Sequence, residues 1–230
     1  MVIRDIIHPM TFSFQSRIGL GTWKMGEAAR SEGEEIKAIE AAIQMGDGLI
    51  DTAEMYASGN AETLIGKGLK IAGHSKRDQL QIVSKVLPNN ASTKGTIAAC
   101  EASIKRMGSD YIDCYLLHWQ GSHSYEATIE GFLKLHERGL IRSYGISNFG
   151  TLDLQKWIAA ENRIGAHERA VCNQVYYALN ARGIEYDLIP LMQKQTMHKL
   201  RSVWTANKTS VVPVPMVRVL AVTVNVLLCC

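Results

Sequence analysis

The chain has 230 residues, 47% of them apolar and 20% charged, with a formal net charge of +3 at pH 7. That length bounds one large domain or two small ones, and the composition is that of a globular protein rather than a disordered one. So small a net charge, with no basic run and no interleaving of basic and aromatic residues, argues against a nucleic-acid partner.

The N-terminus carries Arg4, Asp5 and His8 and no long apolar stretch, so no secretory signal is expected. The five cysteines are Cys100, Cys114, Cys172, Cys229 and Cys230. None has metal-site spacing. Cys100, Cys114 and Cys172 lie in apolar segments and read as buried free thiols, which suits a cytoplasmic location.

The elements follow in chain order. Residues 17–21 read as a first strand. A helix starts at Ser31, where Ser31 and Glu34 form a capping-box pair, and Ile36, Ile39 and Ile43 share a face. Gly46 ends it, and Gly48 to Ile50 is the next strand. Asn60 to Gly73 is helical, and Leu80 to Val83 is a strand. Thr93 to Met107 is a helix stopped by Gly108. Tyr111 to Leu117 is a strand with little alternation, which implies burial on both faces. Tyr125 to Arg138 is a helix closed by Gly139, and Ile141 to Ile146 is a strand. Leu152 to Ile164 is a helix and Ala170 to Val175 a strand. Ile184 to Met197 is helical, with Pro190 either disturbing one helix or separating two short ones. Six strand–helix repeats demand a parallel sheet with right-handed crossovers. No GxGxxG turn follows the first strand, which disfavours a doubly wound nucleotide-binding sheet.

Polar chemistry sits just beyond several apolar runs. Asp51 and Tyr56 follow Gly48-Leu49-Ile50, Lys85 follows Ile82-Val83, and His118 follows Leu116-Leu117. In a barrel of parallel strands such ends share one rim. A phenol with an ordinary pKa near 10 needs help to give up its proton at neutral pH, and an adjacent ammonium such as Lys85 lowers that pKa. Asp51 would keep Lys85 charged, and His118 would hydrogen-bond a substrate oxygen. Taken singly, each has an ordinary reading: a turn-forming Asp, a solvated Lys, a structural His, a packing Tyr. Ser147 and Asn148, in Gly145-Ile146-Ser147-Asn148-Phe149, match a primary carboxamide, or else form a turn and helix cap. Gln174, in Asn173-Gln174, adds another amide. Tyr176 or Tyr177 could stack on a flat ring or pack in the wall. No metal site is expected.

These residues resemble the aldo-keto reductase family. The matches are Gly19-Leu20-Gly21-Thr22-Trp23, Asp51 with Tyr56, Lys85, Leu116-Leu117-His118-Trp119, Gly145 to Phe149, and Asn173-Gln174, over residues 10 to 197. The run Arg182 to Leu188 is most similar to bacterial members that reduce small aldehydes such as methylglyoxal. The resemblance implies an α/β fold, the (β/α)8 TIM barrel, and hydride transfer from NADPH to a small carbonyl substrate. It makes Tyr56 the proton donor, with Lys85 and Asp51 tuning it and His118 orienting the carbonyl. Asp51, Ser147, Asn148 and Gln174 would hold the nicotinamide end of the cofactor, where Gly21, Thr22 and Trp23 would also lie. Trp23 and Trp119 would wall the substrate pocket. Relatives of this kind commonly work as monomers.

The resemblance stops near Met197. Family members continue with a strand ending in an aromatic residue and Ser-Pro-Leu, then two more βα units, one of which carries the basic residues that clamp the adenosine phosphate. Here, no Asp or Glu occurs from Leu188 onward and no Gly from Ile184 onward, and 211–230 is valine-rich with Pro213, Pro215 and Arg218 inside it. The expectation is therefore an incomplete barrel of about six βα units over 1–197, followed by a foreign tail over 198–230. A shifted reading frame near codon 197 is the favoured origin of that tail. A divergent native end is less favoured. A membrane-associated segment over 211–230 is weakest, with two prolines and an arginine in a barely sufficient span. An unclosed sheet would leave two raw edges, poor solubility and weak cofactor binding. The alternative function is then a catalytically impaired product or a non-catalytic scaffold.

Overall fold

A computed structural model of the chain describes residues 12–16, 18–28, 30–44, 48–178, 180–203 and 225–229. Its strands are β1 (Ile18–Gly21), β2 (Gly48–Asp51), β3 (Leu80–Val86), β4 (Ile112–Leu117), β5 (Ile141–Ser147), β6 (Cys172–Tyr176), β7 (His198–Val203) and β8 (Asn225–Cys229). The helices are α1 (Glu32–Gln44), α2 (Asn60–Ala72), α3 (Thr93–Met107), α4 (Tyr125–Glu137), α5 (Thr151–Arg163) and α6 (Leu188–Lys194). Helices alternate with strands as far as β7, and β1 to β7 pair in parallel in chain order.

Local signals account for most boundaries. At the start of α1, Ser31 Oγ donates to Glu34 Oε2 at 2.8 Å, and Glu34 N donates back to Ser31 Oγ at 3.4 Å. Ser92 and Ser124 cap α3 and α4. Pro190 stands in the first turn of α6, where no intrahelical donor is needed. A separate 3-10 turn, Gly183–Glu185, precedes it, so the segment forms two short pieces. The predicted Arg17 and Gly46 boundaries lie outside the described residues. β3 runs three residues past the predicted end, because Ser84 and Lys85 look terminal by polarity but are buried and paired.

Two apolar layers result. Between sheet and helices pack residues such as Ile39, Ile43, Leu64, Phe132 and Trp157. Inside the barrel are Leu49, Val83, Cys114, Leu116 and Cys172, with Phe12 and Phe14 packed against them. Gln81, near the start of β3, ties that N-terminal segment down: its Oε1 accepts from Gln15 N at 2.7 Å and its Nε2 donates to Ser13 O at 2.9 Å. This closes the N-terminal end and leaves the C-terminal rim as the open one. Cys100, Cys114 and Cys172 are buried free thiols, as expected.

Among the described residues the βα units number six, but the sheet does not stop with them. β7 adds to β6 in parallel, and β8 runs antiparallel to both β7 and β1, closing the barrel. This corrects the expectation of two raw edges. Val203 pairs with Val226 and Gly21 with Asn225, so β8 begins at the C-terminal rim and ends at the opposite one. Among the described residues no helix follows β7, and no helix is long and apolar enough to cross a membrane. Most of 211–230, the segment weighed as a membrane tail, lies outside the described residues.

Candidate active site

Strand register gathers the candidate residues. Asp51 ends β2 beside Gly21 and Val83, Lys85 pairs with Leu116, and Ser147 at the end of β5 pairs with Gln174. His118 directly follows β4, its backbone N–H bonded to Val86 O at 3.0 Å. The strand ends thus deliver all of them to one rim.

Lys85 is the hub. Its side chain is 1% exposed. Its Nζ donates to Asp51 Oδ1 at 2.7 Å, to the backbone oxygen of Thr52 at 2.7 Å and to Tyr56 Oη at 3.3 Å. An ammonium has three donors, and all three are used. Burial is the largest influence on Lys85 and acts to lower its pKa. Asp51, then Tyr56, oppose that, and the net direction is upward, so the lysine stays charged. Gln174 Nε2 adds a second donor to Asp51 Oδ1 at 2.9 Å.

Tyr56 moves opposite to the sequence expectation. Lys85 does favour the phenolate, but burial outweighs it and the pKa rises above the ordinary value. The phenol therefore holds its proton at neutral pH. Because Lys85 donates to Oη, the tyrosine's own O–H is left to donate elsewhere. Tyr56 opens a 3-10 turn, Tyr56–Gly59, in which Ala57, Ser58 and Gly59 have φ of 47°, 54° and 88°. For a non-glycine residue that left-handed conformation costs about 1–2 kcal/mol. Nothing in the sequence signals this turn before Gly59.

His118 faces Tyr56 edge-on, with ring centroids 5.9 Å apart, and lies 4.5 Å from the ring of Trp119. Burial, helped by the charge on Lys85, pulls its pKa down to about 3. The ring is neutral, and its buried Nδ1 has no hydrogen-bond partner among the described residues. Trp23 packs beside Tyr56 with Ala53 and Ala61, and Lys24 Nζ sits 4.5 Å from its ring centroid. Trp23 and Trp119 are both half-buried at the rim.

The amide group is assembled but internally occupied. Ser147 Oγ donates to Gln174 O at 3.0 Å, and Asn148 Nδ2 donates to His118 O at 3.0 Å and Ser147 Oγ at 3.1 Å. Asn148 has φ 60°, a conformation Asn tolerates better than most residues. Thr22 is fully buried; its N and Oγ1 both donate to Asp51 O, at 2.9 and 3.0 Å. It fixes Asp51 instead of offering its hydroxyl. Asn173 holds the backbone of Phe149 with both ends of its amide. Tyr177 is tied to Glu185, which leaves half-exposed Tyr176 as the ring at the end of β6.

Two contributors escaped the sequence reading. The Thr52 carbonyl is backbone and carries no residue-type signal. Glu54 takes Leu87 N at 2.6 Å and Asn90 Nδ2 at 3.0 Å on one oxygen, joining the loops after β2 and β3. Its place between Asp51 and Tyr56 was the available clue. Among the described residues no three His, Cys, Asp or Glu side chains group as a metal site would require.

The model of the Aldo/keto reductase family matches residues 17–200. The chain belongs to this family. Among curated aldo-keto reductases, it is 45% identical over 181 residues to methylglyoxal reductase YeaE of Escherichia coli, covering 78% of this chain and 61% of that protein. It is 34% identical over 186 residues to glyoxal reductase of Bacillus subtilis, covering 78% of this chain and 64% of that protein. A solved aldo/keto reductase from Klebsiella pneumoniae, in complex with NADP and acetate, superposes with a TM-score of 0.71 at 42% identity, covering 79% of this chain and 61% of that one. The chain thus spans less than two thirds of the length of these relatives.

Proposed function

We propose that the protein reduces small aldehydes and ketones of the methylglyoxal kind, with Tyr56 as proton donor. The observation that carries this is the Lys85 ammonium. It spends its three donors on Asp51, Thr52 O and Tyr56 Oη, and so orients the phenolic proton outward. Neutral His118 has an N–H to offer a carbonyl oxygen. The half-buried Trp23 and Trp119 suit an apolar wall around a small substrate. The reading extends to a monomer in the cytoplasm, consistent with three buried free thiols.

The cofactor in this reading is NADPH, supported by relatives crystallised with NADP or NADPH. The amide side chains of Asn148 and Gln174, with the Ser147 hydroxyl beside them, fit a primary carboxamide, and Tyr176 offers a ring face. Asp51 steadies Gln174, accepting from its Nε2 at 2.9 Å, and Gly21 stands beside Asp51 at the end of β1. When bound, the cofactor supplies the hydride. The protein's own part is to hold the carbonyl by His118 and deliver a proton from Tyr56 Oη to its oxygen.

NADPH oxidation with methylglyoxal tests this. Tyr56→Phe should slow it by on the order of 10²- to 10⁴-fold. Equal rates would refute the assignment.

A second reading, an impaired or non-catalytic protein, is favoured by the direction of β8. In (β/α)8 barrels the loops after strands 7 and 8 commonly build a phosphate site at the C-terminal rim. Here β8 ends at the opposite rim. Comparing the affinities of NADPH and reduced nicotinamide mononucleotide discriminates: equal affinities mean the adenosine phosphate is not held. The tail over 198–230 is proposed to stem from a shifted reading frame. Translating the nucleotide sequence one base over from codon 197 should then yield an aromatic residue followed by Ser-Pro-Leu.

A further inference from the structure

Behind the Tyr56–Lys85 pair, on the helix side of β3, lies a second ionic cluster that the proposed reaction does not use. Glu62, in the first turn of α2, is 0% exposed. Its Oε1 accepts from Ser84 Oγ at 2.6 Å, and its Oε2 accepts from Arg106 Nε at 2.7 Å. Arg106, on α3, also donates from Nη2 to Ser103 Oγ at 3.0 Å. Ser84 and Lys85 are consecutive in β3, so they point to opposite faces of the sheet. One residue faces the proton donor and the other faces Glu62.

Through Arg106, the same carboxylate also reaches the turn that carries the other half of the pair. Tyr56 reaches α2 through the left-handed residues Ala57, Ser58 and Gly59. A strained turn persists only where its surroundings over-determine it. Arg106 supplies the floor: a Cβ on Gly59 would meet Arg106 Cδ and Nε at 2.7 Å. Thr63 Oγ1 donates to Gly59 O at 3.2 Å, and Asn60 Nδ2 to Gly26 O at 3.1 Å. On the side of the turn before Tyr56, Glu54 N donates to Lys85 O at 3.3 Å; on the side after it, Glu62 makes the link to the strand that carries Lys85, through Ser84.

We propose that Glu62 is a positioning residue that sets the Tyr56–Lys85 contact, by fastening the turn bearing the phenol to the strand bearing the ammonium. The proposal rests on the reading of Tyr56 as proton donor. It does not follow from stability alone. A clamp that served only to join α2, α3 and β3 would leave the phenol's environment unchanged in any variant that still folds.

The test uses the full chain labelled with ¹³Cζ-tyrosine. The Tyr56 resonance is identified among the eight tyrosines by its loss in Tyr56→Phe. Glu62→Gln should move that resonance, and Ser84→Ala should move it in the same direction by less. In the kinetic arm, Glu62→Gln should lower kcat by about 10- to 100-fold with KM within about twofold. It should cost nothing further in the Tyr56→Phe background. Should Glu62→Gln fail to fold, Ser84→Ala and Arg106→Lys decide by the same resonance. A Tyr56 signal that stays in place in every folded variant overturns the proposal. If the unmodified protein does not reduce methylglyoxal, the proposed reaction fails, while the resonance still reports the positioning.

Discussion

At His118 burial beats charge. The imidazole takes up a proton near pH 6.5 in an unfolded chain but only near pH 3 in the folded protein. Between those values the unfolded chain binds more protons. Stability therefore falls as the pH drops through that window, by at most about 1.4 kcal/mol per pH unit, and this contribution is complete above it. Urea titrations at pH 4 and pH 7 should show a smaller loss for His118→Gln than for the unmodified chain, and the His118 ring should not titrate between pH 5 and 8 by NMR. Lys85 gives a second residue-scale expectation. Lys85→Met strips Asp51 of its buried cation and leaves its carboxylate, among the described residues, only Gln174 as a side-chain donor, a change that should cost about 3–5 kcal/mol in a denaturant melt. Adding Asp51→Asn should recover part of the loss, since the uncompensated charge goes with it. Which side chains would meet was legible because Asp51, Lys85 and His118 each end an apolar run. How the phenol would titrate was not. A spacing of residues predicts that an ammonium stands near, but the desolvation that outweighs it depends on the walls closing around Tyr56.

Between elements, Gly145 marks a close approach in the sheet. A Cβ there would meet Cys172 O at 2.7 Å, Cys172 Sγ at 2.8 Å and Leu116 Cδ2 at 2.9 Å. Gly145→Ala must push β5 from β6 just below the Ser147–Gln174 pairing. It should cost about 1–3 kcal/mol and weaken cofactor affinity in the same variant, both readable by thermal melts with and without NADPH. Ser92→Ala provides the contrast. It removes the cap bond from Gly95 N, 3.0 Å long, at a helix start bonded to none of the site residues. About 1 kcal/mol of stability should go with no change in affinity. Helix ends were readable because their causes are local: Ser31 with Glu34, Gly108, Gly139. Strand ends were less so. β3 looked finished at Val83, because Ser84 and Lys85 are buried only by virtue of partners on α2 and β2 that are distant in sequence. The left-handed turn at Ala57–Gly59 was illegible for the same reason, since the side chain packed against Gly59, Arg106, is distant in sequence.

Across the whole molecule, closure is the feature that the sequence pattern argued against. Counting strand–helix units anticipated six, and among the described residues six α-helices stand around the barrel. The residues after α6 have no Gly and no acidic residue, so the turns and helix caps that mark a further βα unit are missing from the pattern. The valine-rich run was the one strand-like signal there. In the structure β8 pairs with β1 and β7 at once, so every described strand has two neighbours and no edge is left among them. An antiparallel strand can fill that gap without the crossover that a parallel one demands. Closure of this kind should be testable by removing residues 225–230. Gly19 and Gly21 then lose their pairing with Leu227 and Asn225, and β7 loses its outer neighbour. Amide exchange at Gly19–Gly21 should accelerate, apolar-dye binding should rise, and the shortened chain should self-associate through its two exposed edges. Exchange at Tyr115 and Leu116, in the middle of β4, should change least. A shortened chain that keeps the protection of β1 and stays monodisperse would mean that β1 to β7 hold their curvature unaided, and that β8 seals the barrel without supporting it.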